Sequence, residues 1–585
     1  MAPKRRADVL VLDSDDDEIA PRNAPGPRAG SSVRSTTPTG GAADADQFEQ
    51  DLALAMRLSM EDAGTPSNAT GSGGTSTGPA AATAAPNANS SRAELERARL
   101  ERQRAREADG TAQPSVISAS RAPVRRPTPR SRVATLADLP SGEDTGSGGS
   151  GASSLRAGGA SSQSKLSQRF WDGAVKRVPN DYVPDDESFS FGDLIGPRQT
   201  LETAVVSAFC LDPLWVASHF PEETPLLLVM PRGPGDTLPG FAPFGVKGNT
   251  FRAVPPTRLQ QGAGVMHTKL MLYIHHDFLR IVIPTANAIS YDWSIIDNAF
   301  YIHDFPLLAE HAEFSADGGE ELGTLNPLEN PTHTQFSRSF IQVCIKLAVP
   351  QLFVSRAKLY DFSRSGDVRL VHSIQGLHPR AEYNKGGGLA ALARAVDSLG
   401  FATGGHWEIE ATGSSIGRYS NNWLAQMLGA ASGIHPSSYF RSGNGNQIPA
   451  QIPATPPRQA SRLPIKIIFP TEDEILSGRG GANGRLSRVT FLGLHKYSSG
   501  EASAHEGWMY LGSHNFTPAA WGRLENSASG PQLKITNYEL GVVLPIRAKS
   551  AEELQTKADA LVTYRRPLVK YGPDERPWQQ ERFLS

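Results

Sequence analysis

The sequence predicts an α/β fold built from two similar halves, preceded by a long N-terminal arm without regular structure. A motif that occurs twice and a sharp change in composition near residue 165 carry this prediction. Before that point the chain is rich in Ala, Gly, Ser, Thr, Pro and Arg, lacks Trp and Tyr, and has one Phe, Phe48. Such a segment cannot bury enough apolar surface to offset its ordering entropy, so we expect residues 1–167 to be disordered.

Composition and length exclude several classes of protein. Of the 585 residues, about 420 follow the arm, enough for a large core in one or two domains. Only 2 Cys are present, Cys210 and Cys344, which excludes a disulfide scaffold and indicates a reducing compartment. No apolar run reaches about 18 residues, so we expect no membrane span. The net charge is −2, so affinity for nucleic acid requires a local basic patch.

The repeated motif predicts the two halves. The chain reads RIVIPTANAISYDW around Asn287 and GWMYLGSHNFTPAAW around Asn515, 228 residues later. Each copy has an apolar strand, then small or hydroxyl residues, then Asn, and a Trp six residues further on, Trp293 or Trp521. Two similar halves whose strand ends converge on one site explain this recurrence.

The first copy is preceded by two cationic side chains. His267 and Lys269 open the apolar strand Leu270–Ile274, and an alternation of period two places both on one face. Asn287 follows on the next strand, so a hairpin brings the three side chains together. Imidazole, ammonium and carboxamide suit phosphoryl chemistry, as nucleophile, clamp for charged oxygens and orienting donor. The alternative is a buried His bonded to the backbone beside a Lys that reaches solvent.

These segments resemble a known family. MHTKLMLYI…IPTANAISYDW and LGSHNFTPAAWG…NYELGVV resemble the tyrosyl-DNA phosphodiesterases of the phospholipase D superfamily, and the resemblance runs from about Phe170 to the C-terminus. It implies two pseudo-symmetric α-β-α halves, 168–372 and 373–585, that share one active site. It implies that His267 is the nucleophile and that Glu539 orients a catalytic His, with phosphate ligands at Lys269, Asn287 and Asn515. Contacts to the DNA backbone are expected at Ser414, Ser415, Gly417 and Thr517.

The resemblance also implies an activity. We expect hydrolysis of 3′-phosphotyrosyl and other 3′-blocked DNA ends, including peptide adducts derived from topoisomerase, in the nucleus. We expect a monomer with no cofactor. We also expect no metal, because the motifs are poor in Cys and acidic residues. One alternative is another phospholipase D-like nuclease or a lipase, although no amphipathic or lipid-anchor signal supports lipid. The other is a catalytically impaired adaptor that binds DNA ends.

The second catalytic His is the exception to this resemblance. The family has an H-x-K in each half, but none occurs between Pro464 and Asn515. His495 precedes Asn515 by 20 residues, as His267 precedes Asn287, and it is the candidate; His505 and His514 lie nearby. However, His495 follows its apolar strand, about 30 Å from the start of that strand. Aligning the two strands puts Leu486 and Arg488 at the H-x-K positions. Either the acid/base is lost, or a segment near 477–494 is missing from the sequence.

The arm carries three short motifs. Residues 9–12, VLVL, precede the acidic run 13–18 and resemble a SUMO-interacting motif; the alternative is an incidental apolar tetrapeptide. Residues 48–62 resemble a ubiquitin-interacting motif, with Leu52, Ala55 and Ser59 on one face of a predicted helix; the alternative is a merely amphipathic helix. Basic residues at 4–6 and 125–132 fit nuclear import.

Overall fold

The computed structural model describes residues 165–180, 183–232, 240–246, 249–256, 259, 264–311, 326–401, 407–414, 419–439, 463–478, 490–495 and 505–578. The motifs predicted in the arm lie outside these ranges, and so do Leu52, Ala55 and Ser59.

The described residues form seventeen strands. Their bounds are β1 Ala174–Arg177, β2 Leu201–Ser207, β3 Leu226–Val229, β4 Gly240–Pro243, β5 Thr250–Val254, β6 Leu270–His275, β7 Phe278–Pro284, β8 Ala299–Pro306, β9 Arg369–Ser373, β10 Gly376–Pro379, β11 Trp407–Thr412, β12 Ile465–Ile468, β13 Thr490–His495, β14 His505–Gly512, β15 Arg523–Ser527, β16 Gly530–Ile535 and β17 Glu539–Ala548.

Short helices connect and cover these strands. The α-helices are α1 Phe191–Leu194, α2 Pro213–Ala217, α3 Ser290–Ser294, α4 Gln335–Lys346, α5 Gln351–Ser355, α6 Tyr383–Gly386, α7 Leu389–Ser398, α8 Asn421–Ala431, α9 Glu472–Ser477, α10 Pro518–Trp521 and α11 Ala551–Leu561. Single 3₁₀ turns lie at Arg198–Thr200, Ala309–His311, Arg356–Leu359, Ser363–Ser365, Arg380–Glu382 and Pro436–Ser438.

The strands form two large sheets with the same internal order. The first has eight strands in the order β1-β8-β7-β6-β2-β3-β5-β4, and the second has six in the order β9-β17-β14-β13-β11-β12. In both, the sixth strand pairs in parallel with the fifth (β3 with β2, β12 with β11), whereas the first five pair antiparallel. The internal repeat predicted from the two Asn motifs is therefore a repeat of six strands, to which the first sheet adds β5 and β4.

The border between the halves follows from this pairing. The sequence placed it between residues 372 and 373, which is within β9. This strand pairs with β17 at the edge of the second sheet, with Glu539 opposite Ser373. The strand pairing therefore moves the border to before Arg369, so that β9 belongs entirely to the second half.

The core has three layers of apolar side chains. The central layer lies between the sheets, where β14 and β17 approach β7 and β8, and it also takes up the apolar faces of α4, α5 and α11. One outer layer packs β2, β6 and β7 against α1 and α2, and the other packs β11, β13 and β14 against α7 and α8. Strands with two covered faces need continuous apolar runs, which explains the uninterrupted burial of LMLYIH in β6 and FLRIVIP in β7.

One ion pair interrupts the apolar run of β7. Arg280 is fully buried and donates to both oxygens of Asp304 on β8, at 2.7 and 2.8 Å. Its guanidinium also donates to the carbonyl oxygens of Gln168 and Leu194, so four of its five N–H groups have acceptors. Through the bond to Gln168, the pair holds the segment that precedes β1 against the first sheet.

We expect Arg280→Met to lower the free energy of unfolding by about 3–5 kcal/mol, because Asp304 would be left as an uncompensated buried charge. Denaturant unfolding measures this loss. Arg364→Ala is the control, since its pair with Asp172 is exposed and should contribute at most about 1 kcal/mol. Equal losses for the two variants would contradict the expectation.

Candidate active site

The two halves are joined by a short backbone pairing just before β6 and β17. Met266 bridges Tyr538 in parallel register. The N–H of His267 donates to the carbonyl of Tyr538 at 2.9 Å, and the N–H of Tyr538 donates to the carbonyl of Val265 at 2.9 Å. This pairing sets His267, at the start of the first half's strand, opposite Glu539, the first residue of β17.

A glycine permits this close approach. Gly264 has φ +80°, a left-handed conformation that favours glycine. A Cβ at this position would lie 1.7 Å from the carbonyl oxygen of Thr536, far closer than van der Waals contact allows. The two chains can therefore run side by side here only if residue 264 has no side chain.

The imidazole of His267 is held in one tautomer. Its Nδ1 lies 2.8 Å from Oε2 of Glu539 and 3.1 Å from the carbonyl oxygen of Ser513. Both partners are acceptors, so Nδ1 carries the proton and Nε2 keeps its lone pair. The side chain is only 11% exposed, and the ring of Phe209 lies 5.5 Å from it, centroid to centroid. The geometry presents Nε2 as a nucleophile.

Glu539 is ionised in this setting. The residue is 1% exposed, and burial alone would raise the pKa of its carboxyl. The hydrogen bond from His267 and the basic groups nearby, Lys269 among them, outweigh burial and hold the pKa of Glu539 below its usual value. Oε2 also accepts from the hydroxyl of Ser513 at 2.6 Å, and Oε1 from Asn537 at 3.0 Å. The carboxylate can therefore stabilise positive charge that develops on the imidazole.

The ammonium of Lys269 lies beside the reactive nitrogen. Its Nζ is 3.2 Å from Nε2 of His267 and 3.2 Å from the carbonyl of the same residue. Lys269 is 2% exposed. A phosphate group that approaches Nε2 would therefore meet a buried cation, which favours charge on its non-bridging oxygens.

The asparagine of the first half is fixed by its neighbours. Oδ1 of Asn287 accepts from the N–H of Cys210 at 3.2 Å, and Nδ2 donates to Oδ2 of Asp292 at 2.9 Å. Phe209, the residue before Cys210, has its ring against the imidazole of His267. Residues 209 and 210 therefore contact His267 and Asn287, respectively. The structure thus brings Asn287 to the end of the sheet where His267 lies.

The pseudo-symmetry extends to single atoms. Pro284 pairs with Phe300 in the first sheet as Gly512 pairs with Gly541 in the second, so Thr285 corresponds to Ser513 and Asn298 to Glu539. The hydroxyl of Ser513 donates to Glu539 at 2.6 Å, and that of Thr285 donates to Oδ1 of Asn298 at 2.7 Å. Asn298 therefore occupies the place in the first half that the carboxylate occupies in the second.

The second half contributes Asn515 and a neighbouring loop. Oδ1 of Asn515 accepts from the hydroxyl of Ser414, just beyond β11, at 3.0 Å. Thr517 is the N-cap of α10, and its hydroxyl accepts from the N–H of Ala520. The predicted DNA contacts Ser415 and Gly417 lie outside the described residues. Ser414 thus joins Asn515, whereas the hydroxyl of Thr517 is engaged in capping a helix.

The observed register relates the strand of the second half to that of the first. Met271 pairs with Val282 on β7, and Phe491 pairs with Tyr510 on β14, so Phe491 corresponds to Met271. Leu486 and Arg488, which the sequence aligned with His267 and Lys269, lie outside the described residues, so that alignment stays a prediction. It supplies neither an imidazole nor an ammonium.

The same register separates His495 from the site. His495 is the last residue of β13 and corresponds to His275, the last residue of β6. It lies about 17 Å along the strand from Thr490, at the end away from Asn515. The matching spacing of 20 residues arises because two residues, 276–277, join β6 to β7, whereas nine, 496–504, join β13 to β14. The structure thus brings His267, Lys269 and Glu539 together but not His495.

The other two nearby histidines are also unsuited to acid/base chemistry. His514 is fully buried, with its ring 2.5 Å from the hydroxyl of Tyr510 and 2.9 Å from that of Ser373. Burial lowers the pKa of His514 to about 3, so its ring stays neutral. His505 begins β14, about 23 Å along the strand from Gly512. Neither His505 nor His514 therefore supplies an acid/base at the site.

Two residues of the site escaped the sequence-based prediction. Ser513 contributes a carbonyl to His267 and a hydroxyl to Glu539, and Asn298 is the counterpart of Glu539. Ser513 lies inside the quoted LGSHNF motif, where alignment with IPTANA would have matched it to Thr285. Asn298 could not be found this way, because the insertion of β15 and β16 changes its spacing in the second half.

Within the described ranges, no group of three or more His, Cys, Asp or Glu side chains is placed to hold a metal ion. None of the helices in the same ranges combines the length and the apolar character that crossing a bilayer requires.

The fold and the site define a class of protein. Two pseudo-symmetric α/β halves that join a His and a Lys of one to a carboxylate of the other are those of a phosphodiesterase of the phospholipase D superfamily. The sequence model described as "Tyrosyl-DNA phosphodiesterase" matches residues 169–491 and 488–572. The chain belongs to the tyrosyl-DNA phosphodiesterase family and is a hydrolase of phosphodiester bonds, which confirms the resemblance seen in the sequence.

Two individual proteins are similar to this chain. The chain is similar to tyrosyl-DNA phosphodiesterase 1 of Arabidopsis thaliana, with 25% identity over 452 residues, which cover 65% of this chain and 70% of the plant protein. Among solved structures, a yeast tyrosyl-DNA phosphodiesterase matches with 16% identity and a TM-score of 0.43, covering 64% of this chain and 90% of the yeast chain.

We expect Glu539→Gln to slow attack by His267 by about 10²- to 10⁴-fold, because a glutamine amide neither fixes the Nδ1–H tautomer nor balances the developing charge. Single-turnover kinetics measure the loss.

The ionised carboxylate of Glu539 should also stabilise the folded protein in a pH-dependent way. The folded-state pKa of Glu539 is lowered, so this contribution to the free energy of unfolding is full above the ordinary value of 4.5 and is lost as pH falls through the folded pKa. The difference in unfolding free energy between wild type and Glu539→Gln should therefore shrink in acid. A difference that grows in acid would contradict this assignment.

Proposed function

We propose that this protein hydrolyses 3′-phosphotyrosyl bonds, and other 3′-blocked ends, in DNA through a phosphohistidine at His267. One observation carries the proposal. Nδ1 of His267 is tied to Glu539 at 2.8 Å, which leaves Nε2 unprotonated beside the ammonium of Lys269. A nucleophilic nitrogen next to a buried cation is suited to attack on a phosphodiester.

The first step forms the adduct. Nε2 of His267 attacks phosphorus, a P–N bond forms, and the bond from phosphorus to the tyrosine oxygen breaks. Lys269 and the carboxamides of Asn287 and Asn515 stabilise charge on the non-bridging oxygens. The imidazole ring becomes cationic, and the carboxylate of Glu539 balances that charge. The tyrosine-bearing peptide leaves as a phenolate that needs a proton.

The second step releases the DNA. Water attacks phosphorus, the P–N bond breaks, and a 3′-phosphate end leaves while His267 is regenerated. This step needs a base that activates water, and departure of the phenolate needs an acid. The second H-x-K of the family would supply both, and this sequence lacks it.

We propose that a segment near residues 477–494 is missing from the sequence and that the chain as written turns over poorly. The match to the family breaks into two pieces that overlap at 488–491, next to the positions where an H-x-K would stand. The surrounding site is retained, including Asn515 and Glu539. Sequencing the transcript across residues 477–494 tests this proposal: an in-frame H-x-K supports a gap in the sequence, and its absence supports true loss of the acid.

An assay of substrate class tests the proposed activity. A 3′-phosphotyrosyl oligonucleotide should yield tyrosine and a 3′-phosphate end, or a trapped adduct, while phosphatidylcholine vesicles and unmodified DNA should not react. Cleavage of unmodified DNA at the same rate would favour a general nuclease instead, and reaction with lipid alone would favour a lipase.

A second candidate function is an adaptor that binds blocked DNA ends. Neither His495 nor His505 lies at the site among the described residues, and His514 is enclosed by hydroxyl groups, which favours this alternative. The arm motifs would then recruit the protein to ubiquitin or SUMO on chromatin in the nucleus. Salt-sensitive DNA binding without adduct formation, and a ubiquitin pulldown lost on joint substitution of Ala55 and Ser59, would support the adaptor.

A further inference from the structure

We propose that Asp292 is a positioning residue that fixes the carboxamide of Asn287 toward the phosphate; this rests on the function proposed above. Asp292 lies in α3, five residues after Asn287, and is fully buried. Its Oδ2 accepts from the backbone N–H of Asn287 and from Nδ2 of the same residue, both at 2.9 Å. One carboxyl oxygen thus holds the backbone and the side chain of the same asparagine.

The other contacts of Asn287 complete its placement. Its carbonyl accepts from the indole N–H of Trp293 at 2.8 Å, and Oδ1 accepts from the N–H of Cys210 at 3.2 Å. The carboxamide is planar, so these bonds fix the direction of the second Nδ2 hydrogen. That hydrogen has no partner among the described residues. That hydrogen is the donor available to a ligand.

The arrangement excludes the flipped amide. A rotation of 180° would turn Oδ1 toward the carboxyl oxygen of Asp292 and the NH₂ group toward the N–H of Cys210. Acceptor would then face acceptor, and donor would face donor. A phosphate bound at this carboxamide would then meet an oxygen lone pair instead of an N–H. Asp292 therefore selects the orientation that binds phosphate.

The second half has no acid at the corresponding position. Asn515 corresponds to Asn287, and the position that corresponds to Asp292 is Ala520. Oδ1 of Asn515 is instead approached by the hydroxyl of Ser414 at 3.0 Å. The carboxyl group is therefore not a general requirement of the repeated motif. It is specific to the asparagine next to the nucleophile.

Single-turnover kinetics of adduct formation, followed at saturating and limiting DNA, test the proposal. We expect Asp292→Ala to slow adduct formation by about 10- to 100-fold, mainly at saturating DNA, because a carboxamide that flips loses one donor to the transition state. Asp292→Asn should stay within a few-fold of wild type, since its side-chain oxygen can accept the same two bonds. The control is Asp297→Ala, which removes a carboxyl bonded to Asn180 elsewhere in the segment and should have no effect on the rate.

A double-mutant cycle separates positioning from a general structural role. If Asp292 acts through Asn287, the double variant Asn287→Ala, Asp292→Ala should be no slower than Asn287→Ala alone. Multiplicative losses, or an Asp292→Ala variant as fast as wild type, would overturn the proposal. If Asp292→Ala does not fold, an Asp292→Asn variant that folds but is as slow as Asn287→Ala overturns it too. Absence of any adduct in wild type would refute the proposed function rather than this inference.

Discussion

Substitution of His267 by Ala should abolish the covalent adduct and reduce cleavage of a 3′-phosphotyrosyl oligonucleotide by on the order of 10⁴-fold or more. The reason is specific to the geometry. Nε2 of His267 is the one unprotonated nitrogen that the described residues place beside Lys269, because Glu539 and Ser513 occupy Nδ1. His514 cannot replace it, since His514 is buried and neutral.

The measurement is denaturing electrophoresis of protein mixed with labelled oligonucleotide, together with the rate of tyrosine release. His505→Ala is the matched control, because it removes an imidazole from the far end of β14 and should leave both readouts unchanged. An adduct that persists in His267→Ala would refute the assignment of the nucleophile. DNA binding should survive the substitution, since phosphate contacts elsewhere supply most of the affinity.

The repeat could be predicted from the sequence because both copies keep their local chemistry. An apolar strand, a hydroxyl residue, Asn and a Trp six residues later recur with little change, and the six-strand order confirms the relation. The pairing of His267 with Glu539 was not visible in this pattern. It depends on a backbone bridge between Met266 and Tyr538, residues 272 positions apart, and no local periodicity encodes such a contact.

The error over His495 arose where loop lengths differ between the halves. The spacing of 20 residues matched that of His267 because nine connecting residues replace two, which restored the spacing by coincidence. The register of β13, which begins at Thr490, is likewise fixed only by its pairing with β14. In a sheet, a shift by one residue exchanges the two faces, so register must come from tertiary structure.

The largest consequence of the missing imidazole is a long-lived adduct. With wild-type protein in excess over substrate, we expect adduct to accumulate toward one per DNA end, because water at the P–N bond lacks a base. General acid–base catalysis contributes about 10²- to 10⁴-fold to rates. Hydrolysis of the adduct should therefore be slower by that factor than in a family member that has both H-x-K motifs. Quenched-flow sampling of adduct and free 3′-phosphate measures the two steps separately.

Added imidazole distinguishes a missing base from a damaged site. If the site is otherwise intact, imidazole should speed adduct breakdown in wild type, with a pH dependence that follows the neutral form of the added base. The same imidazole should produce no adduct and no cleavage in His267→Ala, because the first step needs a nucleophile fixed by Glu539. Rapid multiple turnover by the chain as written, with no adduct captured, would instead require an acid/base other than His495, His505 and His514 at the site.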